Sequence, residues 1–442
     1  MYTRSKFMFL SSLLIILTLA LSACGTAATP QTVVVTQVVS QVVTATPPPS
    51  GPVTITFWNA YNAQAEEPYV EKTLIPAFEA SHPGITVQAV NIPYDQFHQK
   101  LLTAIAGGTA PDVARLDIIW VPEFANLGAL VPLDQTMSDF DTYKNEVFPG
   151  PLSTTFYQGH YYGLPLDTNT RVLIYNKDVF QQAGITTPPA TIDEFLADCA
   201  KIKALGSDHY CYADGGMYGW ATGPWVWSFG GDFTSPDLSK ATGFINGPDT
   251  VAAYTFLKDA LDKGYIHPGI KGGGVDTNGG LANGTIAMDL DGPWFFATFP
   301  KQFPNVHIGT ALMPAGKGGS ISVVGGEDIV EFQESKNQTA ATEFIRYMLS
   351  NDAQFGMASV GQMPVLQSSS DPANLAKMPD YFGIFFQQLK TAKARTPTPL
   401  YNRIEQIFSD DGTAILNGSV TPQQGLDDAA SKIDPLLANP NQ

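Results

Sequence analysis

The chain has few basic residues and few cysteines for its length of 442 residues. Lysine and arginine total 24 against 41 aspartates and glutamates, and the formal net charge is −17. An acidic surface repels phosphate backbones and anionic lipid headgroups, so no nucleic-acid partner is expected. Histidines number six, and no GxSxG, HExxH or zinc-type cysteine spacing occurs. The sequence therefore predicts no catalytic residue, no metal site and no cofactor.

The chain also lacks an apolar run of the ~20 residues that a membrane-spanning helix needs. Its N-terminal apolar stretch, 7–21, is shorter, follows Arg4 and Lys6, and ends in small residues before Cys24. This layout is typical of a secretory signal, and a cysteine directly after the small residues predicts cleavage and lipidation there. We expect 1–23 to be a lipoprotein signal peptide and Cys24 to be lipidated, which places the protein outside the cytoplasm at a membrane. The alternative is an ordinary secretory signal with a chance cysteine.

Residues 24–51 are rich in Thr, Val, Gln and Pro and almost uncharged, which predicts a tether between the lipid and the folded part. Besides Cys24, only Cys199 and Cys211 remain. In an oxidising compartment these two are expected to form a disulfide, worth roughly 2–3 kcal/mol. Two buried free thiols are the alternative.

After the tether, strand-like and helix-like hydrophobic patterns alternate, beginning β-α-β-α-β. This order predicts a parallel sheet covered by helices on both faces, and the length favours two domains. Asp95 is expected to cap the second helix and Pro76 to kink the first. Thr191 and Glu194 have the spacing of a capping box.

The six tryptophans lie beside or near Gly, Pro, Asn or Asp, at positions 58, 120, 220, 225, 227 and 294. Most are predicted at strand-to-loop junctions, which form the ligand crevice of parallel α/β sheets. An indole face stacks on the apolar face of a sugar, while carboxylates and amides bind its hydroxyls. Trp220 is instead expected in the core.

Five segments occur in a distinctive order: FWNAY at 57–61, LLTAIAGGTAPDVARLD at 101–117, YGLPLDTNTRVLIYNKDVF at 162–180, NGTIAMDLDGPW at 283–294 and VVGGEDIVEFQESKNQTAATEFIRYM at 323–348. Together they resemble the carbohydrate-binding, maltose-binding-protein-like family 1 of extracellular solute-binding proteins of bacterial ABC importers. The likeness covers nearly all of 52–435.

The resemblance implies a two-lobe, type II-like periplasmic-binding-protein fold of class α/β, with a ligand cleft between lobes joined by three crossings. It assigns 52–165 with 325–365 to lobe 1 and 166–324 with 366–435 to lobe 2. Hinge closure would bury the ligand.

The resemblance also implies a set of ligand-binding residues, with Trp294 as the best stacking candidate. The set is Trp58, Asn59, Tyr61, Asp117, Trp120, Asp167, Asn169, Trp225, Trp227, Trp294, Gly326, Glu327 and Arg395. The first loop, NAYNAQ, differs from that of classical maltodextrin binders. Glu327 and Asp328 stand where many relatives carry an aromatic residue.

The expected function is that of a lipid-anchored, monomeric binding subunit that captures a sugar or oligosaccharide and delivers it to an ABC permease without chemistry. Another solute on the same fold is an alternative: betaine, a polyamine, a polyol or glycerol phosphate. Betaine or a polyamine would use the tryptophans as a cation–π cage. A secreted glycoside hydrolase is a further alternative.

Overall fold

The computed structural model describes residues 51–440. The predicted signal peptide, the lipidation site Cys24 and nearly all of the tether lie outside the described residues. Within them, no helix is long and apolar enough to cross a membrane.

The described chain alternates strands and helices. The strands are β1 Val53–Asn59, β2 Ile85–Asn91, β3 Val113–Asp117, β4 Phe156–Tyr157, β5 His160–Tyr161, β6 Leu164–Thr170, β7 Val172–Asn176, β8 Tyr210–Ala213, β9 Ile286–Asp291, β10 Ile308–Ala311 and β11 Val324–Glu331. The helices in the first half are α1 Glu66–Tyr69, α2 Ile75–Ser81, α3 Tyr94–Ala106, α4 Val121–Asn126, α5 Leu133–Thr136, α6 Phe140–Glu146, α7 Pro149–Ser153, α8 Lys177–Gln182, α9 Ile192–Lys203 and α10 Gly219–Phe229. The later helices are α11 Pro248–Asp262, α12 Thr277–Asn283, α13 Trp294–Gln302, α14 Gln338–Met348, α15 Asn351–Ala358, α16 Pro372–Leu375, α17 Phe382–Leu389, α18 Tyr401–Leu416 and α19 Pro422–Ala438. A π-helical turn, Val70–Leu74, joins α1 to α2, and 3-10 turns occupy Pro268–Lys271 and Gln367–Ser370.

Two larger sheets form the centres of two lobes. The first has the order β2-β1-β3-β11-β6 and the second the order β10-β7-β9-β8. The predicted parallel β-α-β-α-β unit is present, since β1 pairs in parallel with both β2 and β3. The complete sheet is mixed, because β11 joins β3 and β6 antiparallel. Both added strands belong to chain segments that cross between the lobes, so they need not follow the direction of the βαβ unit.

The hydrophobic cores follow the same division. The second lobe buries one large cluster drawn from 173–323 and 404–437. The first lobe buries clusters drawn mainly from 55–166 and 324–366. The lobes thus alternate along the chain, as the two-lobe fold requires.

The three crossings lie close together. Arg171 is the single residue between β6 of the first sheet and β7 of the second. At the other two crossings the backbones are hydrogen bonded: Lys393 donates to the Ser322 carbonyl, and Val324 donates to the Lys393 carbonyl, each at 2.8 Å. Neighbouring crossing segments of this kind confine a hinge to one edge of the interlobe cleft.

Of the two helix caps predicted from the sequence, one is present and the other is not. The Thr191–Glu194 capping box is confirmed. The cap predicted at Asp95 is wrong: α3 begins one residue earlier, after Pro93, and Asp95 lies in the first helical turn. In the first turn, the negative charge of Asp95 still stabilises the helix, because it lies near the positive end of the helix dipole. The irregularity near Pro76 is a π-turn placed just before it, which accommodates the proline at the start of α2.

Cys199 of α9 and Cys211 of β8 are joined by a disulfide, with Cα atoms 4.9 Å apart and both side chains fully buried. Replacing both by alanine is expected to lower the free energy of unfolding by about 3 kcal/mol, because the cross-link restricts the unfolded chain. Urea unfolding of the variant and the wild type would measure this difference. Wild type unfolded under strong reductant serves as the control and should match the variant; equal stability of oxidised wild type and variant would contradict the prediction.

Candidate functional site

Two adjoining cavities lie between the lobes. The larger, about 420 Å³, is lined by Tyr94, Asp117, Ile119, Asn169, Tyr218, Trp220, Trp294, Gly325, Gly326, Glu327, Arg395 and Glu405. The smaller, about 300 Å³, is lined by Ala60, Asn62, Gln64, Glu66, Arg115, Asn169, Trp294, Thr298, Glu327 and Gln362. Asn169, Trp294 and Glu327 line both, so these three side chains stand where the cavities meet. Volumes of this size are typical of small-molecule sites.

Several of the residues that line the two cavities lie at or just after the ends of strands. The loop 60–64 follows the carboxyl end of β1, Asp117 ends β3, and Trp294 follows β9. In α/β folds with parallel strands, such ends gather at one edge of the sheet and form the ligand crevice. The sequence order of strand and loop therefore explains why residues distant in the chain meet here.

Three acidic side chains form a row across three adjacent strands, which we call the carboxylate row. Asp117 of β3 is opposite Glu327 of β11, and Glu327 is opposite Asp167 of β6. Arg115 joins two of them, donating through Nε to Asp167 Oδ2 at 2.9 Å and through Nη2 to Glu327 Oε2 at 2.6 Å. The Arg115 guanidinium also lies over the Tyr61 ring, 4.5 Å from its centre. Arg115 is 5% exposed, so it is a fixed positive charge in the wall of the smaller cavity.

Asp117 has a separate set of donors. The Tyr94 hydroxyl donates to its Oδ2 at 2.6 Å, and Arg395 Nη2 donates to its Oδ1 at 3.3 Å. The third crossing carries Arg395, so this contact ties the hinge region to the first lobe. The Tyr94 ring is half exposed, but desolvation of its hydroxyl and the nearby Asp117 carboxylate raise its pKa well above the usual range, so the hydroxyl remains a donor.

Burial raises the pKa of the Glu327 carboxyl well above its usual range. Arg115 opposes this rise, and hydrogen bonding and repulsion from Asp167 add to it. The carboxyl at the junction of the two cavities is thus held in an environment that disfavours its charge.

Aromatic rings form the opposite wall of the larger cavity. The Trp220 and Trp294 ring centres are 6.0 Å apart at an interplanar angle of 31°. The Arg395 guanidinium lies 5.7 Å from the centre of the Trp220 ring. Below them, Arg171 donates to the Trp220 carbonyl at 3.0 Å, which fixes the start of α10. The pair offers apolar ring surface beside charged and amide groups.

Two glycines permit close backbone approach at the second crossing. A Cβ on Gly325 would come within 2.2 Å of Asn169 Oδ1 and 2.5 Å of the Trp220 ring. Gly326 has a φ of +127° and faces the Asp167 carbonyl, which a Cβ would meet at 2.3 Å. Only glycine fits this floor of the larger cavity.

Of the predicted site residues, six line the cavities: Asp117, Asn169, Trp294, Gly326, Glu327 and Arg395. Asn169 is notable because its Oδ1 is buried and has no hydrogen-bond partner within residues 51–440. Buried amides are normally paired, so this oxygen is free to bind a ligand.

Two residues predicted to contact the ligand lie away from both cavities. Trp225 and Trp227 lie within α10 and pack in the core of the second lobe, 1% and 3% exposed. Most tryptophans are predicted at strand-to-loop junctions, but these two lie within a helix whose apolar character directs both rings inward. Trp220, expected in the core, instead lines the larger cavity, because α10 begins at the cleft.

Five further predicted residues lie behind the cavity walls. Trp120 is buried and stacks on Tyr94, with ring centres 5.3 Å apart, so Tyr94 presents the surface that was assigned to Trp120. Trp58 packs edge-on to Phe97 in the first lobe. The remaining three are buried and line neither cavity: Asn59, Tyr61 and Asp167. Tyr61 and Asp167 contact the Arg115 guanidinium and hold it in place.

Sequence reasoning missed several lining residues, notably Arg115, Tyr94, Glu66, Trp220 and Gln362. Arg115 carried a usable signal, since an arginine inside the fully buried strand β3 must have an acidic partner. Gln362 donates through Nε2 to the Glu66 carboxylate, although the two residues are far apart in the sequence. No local sequence pattern predicts such a contact. Within residues 51–440, no group of three or more His, Cys, Asp or Glu side chains could hold a metal ion.

Comparison with known proteins agrees with this geometry. The family model for bacterial extracellular solute-binding proteins matches residues 61–355. A binding protein of Brucella abortus is 32% identical over 387 residues, covering 84% of this chain and 90% of its own. A glycerol-3-phosphate-binding periplasmic protein of Yersinia enterocolitica is 23% identical and covers 87% of this chain and 92% of its own.

A solved structure of an ABC transporter solute-binding protein of Thermotoga lettingae, bound to α-D-tagatose, superposes with a TM-score of 0.76. It is 28% identical and covers 87% of this chain and 99% of its own. The matches extend across both lobes and the cleft between them. The chain belongs to the bacterial extracellular solute-binding proteins, the family that supplies the substrate-binding subunits of ABC importers.

Proposed function

We propose that the protein captures an uncharged sugar or oligosaccharide in the interlobe cleft and delivers it, unchanged, to an ABC permease. This proposal rests on one observation: the Trp220 and Trp294 rings line the same cavity as Asn169, whose amide oxygen has no hydrogen-bond partner within residues 51–440. The rings supply stacking surface for the apolar face of a pyranose or furanose. Asn169 and the carboxylate row supply polar groups that fix the hydroxyls.

The charge of the cavity walls supports an uncharged ligand. Four carboxyl groups line the two cavities, from Asp117, Glu327, Glu66 and Glu405, against the guanidinium groups of Arg115 and Arg395. Both arginines are already engaged by carboxylates. A phosphate would meet surplus negative charge, which disfavours glycerol phosphate despite the relative that binds it.

The same surplus favours one second candidate, a cationic solute such as betaine or a polyamine. A quaternary ammonium could sit against the two tryptophans with carboxylates nearby. Salt distinguishes the candidates, because a cationic ligand should bind more weakly as ionic strength rises and a neutral sugar should not.

A thermal-shift screen of the purified protein tests the function. The panel comprises mono-, di- and oligosaccharides, polyols, sn-glycerol 3-phosphate, betaine and polyamines. A ligand at 100 times its Kd should stabilise the protein by about 2.7 kcal/mol, an easily measured shift. A shift with sugars, which chromatography then recovers intact, supports transport. Shifts only with cations or with phosphate would mean that the proposed ligand is a cation or a phosphate and not a sugar. Sugar cleavage would favour the hydrolase alternative.

We also propose the arrangement of the whole chain. Residues 1–23 form the signal peptide, Cys24 carries the lipid, and 24–51 tether a monomer to the membrane. The lobes comprise 52–165 with 325–365 and 166–324 with 366–435. The division of sheets and cores supports two lobes, with the first change of lobe at Arg171 and the third crossing passing Lys393 and Arg395.

Replacing Cys24 by serine is expected to release the protein from membranes, because no lipid can then be attached. Fractionation of the producing cells with antibody detection would measure this. The wild type and a Cys199→Ala/Cys211→Ala variant, both expected at the membrane, are the controls. A serine variant that still sediments with membranes would contradict the lipid anchor.

A further inference from the structure

The carboxylate row carries more negative charge than its arginines can neutralise. Asp117, Glu327 and Asp167 stand side by side on three strands, and Arg115 and Arg395 are the guanidinium groups that contact them. These three carboxylates meet two positive charges. Like charges on directly opposed strand positions destabilise a sheet, so the row cannot be fully ionised without cost.

The other groups around Glu327 do not remove the surplus. They are Glu66 and Tyr61 after β1, Tyr94 at the start of α3, and Glu405 of α18. Glu66 accepts from the backbone amide of Asn62 at 2.9 Å and from Gln362. Glu405 accepts from the Gly219 amide at 2.9 Å and the Tyr401 hydroxyl at 2.7 Å. These groups add two acids and two neutral hydroxyls, and no cation.

One oxygen in the row lacks a donor. Asp167 Oδ2 accepts from Arg115, whereas Asp167 Oδ1 is buried and accepts no hydrogen bond within residues 51–440. Asp167 is 5% exposed, so a buried oxygen without a donor is costly there. The residue opposed to Asp167 is Glu327, and both carboxyl groups contact the same Arg115 guanidinium. Two carboxylates cannot hydrogen bond to each other without a proton between them, because both oxygens are acceptors.

We propose that Glu327 and Asp167 share one proton in the ligand-free protein, so that the carboxylate row and its two arginines are together electrically neutral. Glu327 then donates to Asp167 Oδ1 while its other oxygen accepts from Arg115. The environment already described for Glu327, buried and next to a second acid, favours its protonated form. Asp167 accepts from the Arg115 Nε–H at 2.9 Å through Oδ2, which leaves Oδ1 for the Glu327 proton.

This inference deepens the proposed function, on which its consequence for binding rests. Glu327 stands where the two cavities meet, with 16% of its side chain still exposed. Closure of the lobes over an uncharged solute would remove the remaining water and hold the proton more tightly. Solute affinity should therefore be higher at pH 6 than at pH 8, and a cationic solute should show the reverse because it can replace the proton.

The test needs no solute, so its failure is distinguishable from failure of the proposed function. The free energy of unfolding in urea is measured from pH 5 to pH 8 for the wild type and Glu327→Gln. The folded wild type keeps a proton that the unfolded chain releases above the ordinary glutamate pKa of about 4.3. The wild type should therefore lose stability relative to Glu327→Gln as pH rises, by up to tenfold in the folding equilibrium per pH unit, about 1.4 kcal/mol.

A different pH dependence would contradict the shared proton. If Glu327 is ionised in the folded protein, glutamine loses a charged bond to Arg115, and the variant is less stable than the wild type by an amount that stays constant or grows with pH. Glu343→Gln is the matched control, because Glu343 pairs with Arg346 at the surface, and it should follow the wild type. Infrared spectra at pH 7 give a second measure: a protonated-carboxyl band present in the wild type should be missing from Glu327→Gln. If that variant does not fold, Asp167→Asn should lose the same pH dependence, and its retention would overturn the proposal.

Discussion

Replacing Arg115 by methionine is expected to lower the free energy of unfolding by about 3–5 kcal/mol at neutral pH. The guanidinium is 5% exposed and joins Asp167 to Glu327, and its removal leaves buried acids without their positive partner. Methionine retains much of the volume of the side chain, so the loss reports charge more than packing. Urea unfolding at pH 7 measures the effect, and a smaller loss at pH 5 is expected because the acids can then take up protons.

Arg346→Met is the matched control for Arg115→Met. Arg346 also contacts two acids, Asp139 and Glu343, but its side chain and theirs are 24% to 40% exposed. Water and salt weaken such surface pairs, and their removal costs less than about 1 kcal/mol. Similar losses for both variants would show that Arg115 is not the electrostatic centre of the site. Partial recovery of stability in Arg115→Met/Glu327→Gln would support the role assigned to it.

Replacing Trp294 by alanine is expected to weaken solute binding at least tenfold, or about 1.4 kcal/mol, with the fold intact. Trp294 lines both cavities and lies beside Trp220, so its loss removes stacking surface where the two cavities meet. Its ring stands at the cavity wall rather than in the core, which is why stability should change little. Titration calorimetry with the sugar that gives the largest thermal shift measures the affinity.

Two variants separate stacking from bulk. Trp294→Phe keeps an aromatic face and should lose less affinity than Trp294→Ala. Trp58→Phe changes a tryptophan that the sequence also assigned to the ligand but that lines neither cavity, and it should bind within about twofold of the wild type. Unchanged affinity in Trp294→Ala, or a larger loss in Trp58→Phe, would move the ligand away from the assigned cavities.

The tryptophans show where sequence reasoning succeeds and fails. Trp294 follows a strand with a strong hydrophobic pattern and a Gly-Pro turn, so its place at a strand end could be predicted. Trp225 and Trp227 follow a similar Gly-Pro pair, yet they lie inside α10 and in the core. Pro224 lies inside α10, and a proline inside a helix looks like a proline in a loop in the sequence, so the packing of the second lobe decides between them.

The sequence by itself determined the alternation of strands and helices, the segments that carry the family resemblance, and the loops that reach the cleft. These follow from local periodicity and from turn residues, which act over a few neighbouring positions. Tertiary structure alone decided that Arg115 serves both Asp167 and Glu327, that Gln362 meets Glu66, and that Tyr94 covers Trp120. Each of these contacts depends on which strands become neighbours and in which register. A shift of one residue in that register would turn the carboxylate row to the other face of the sheet.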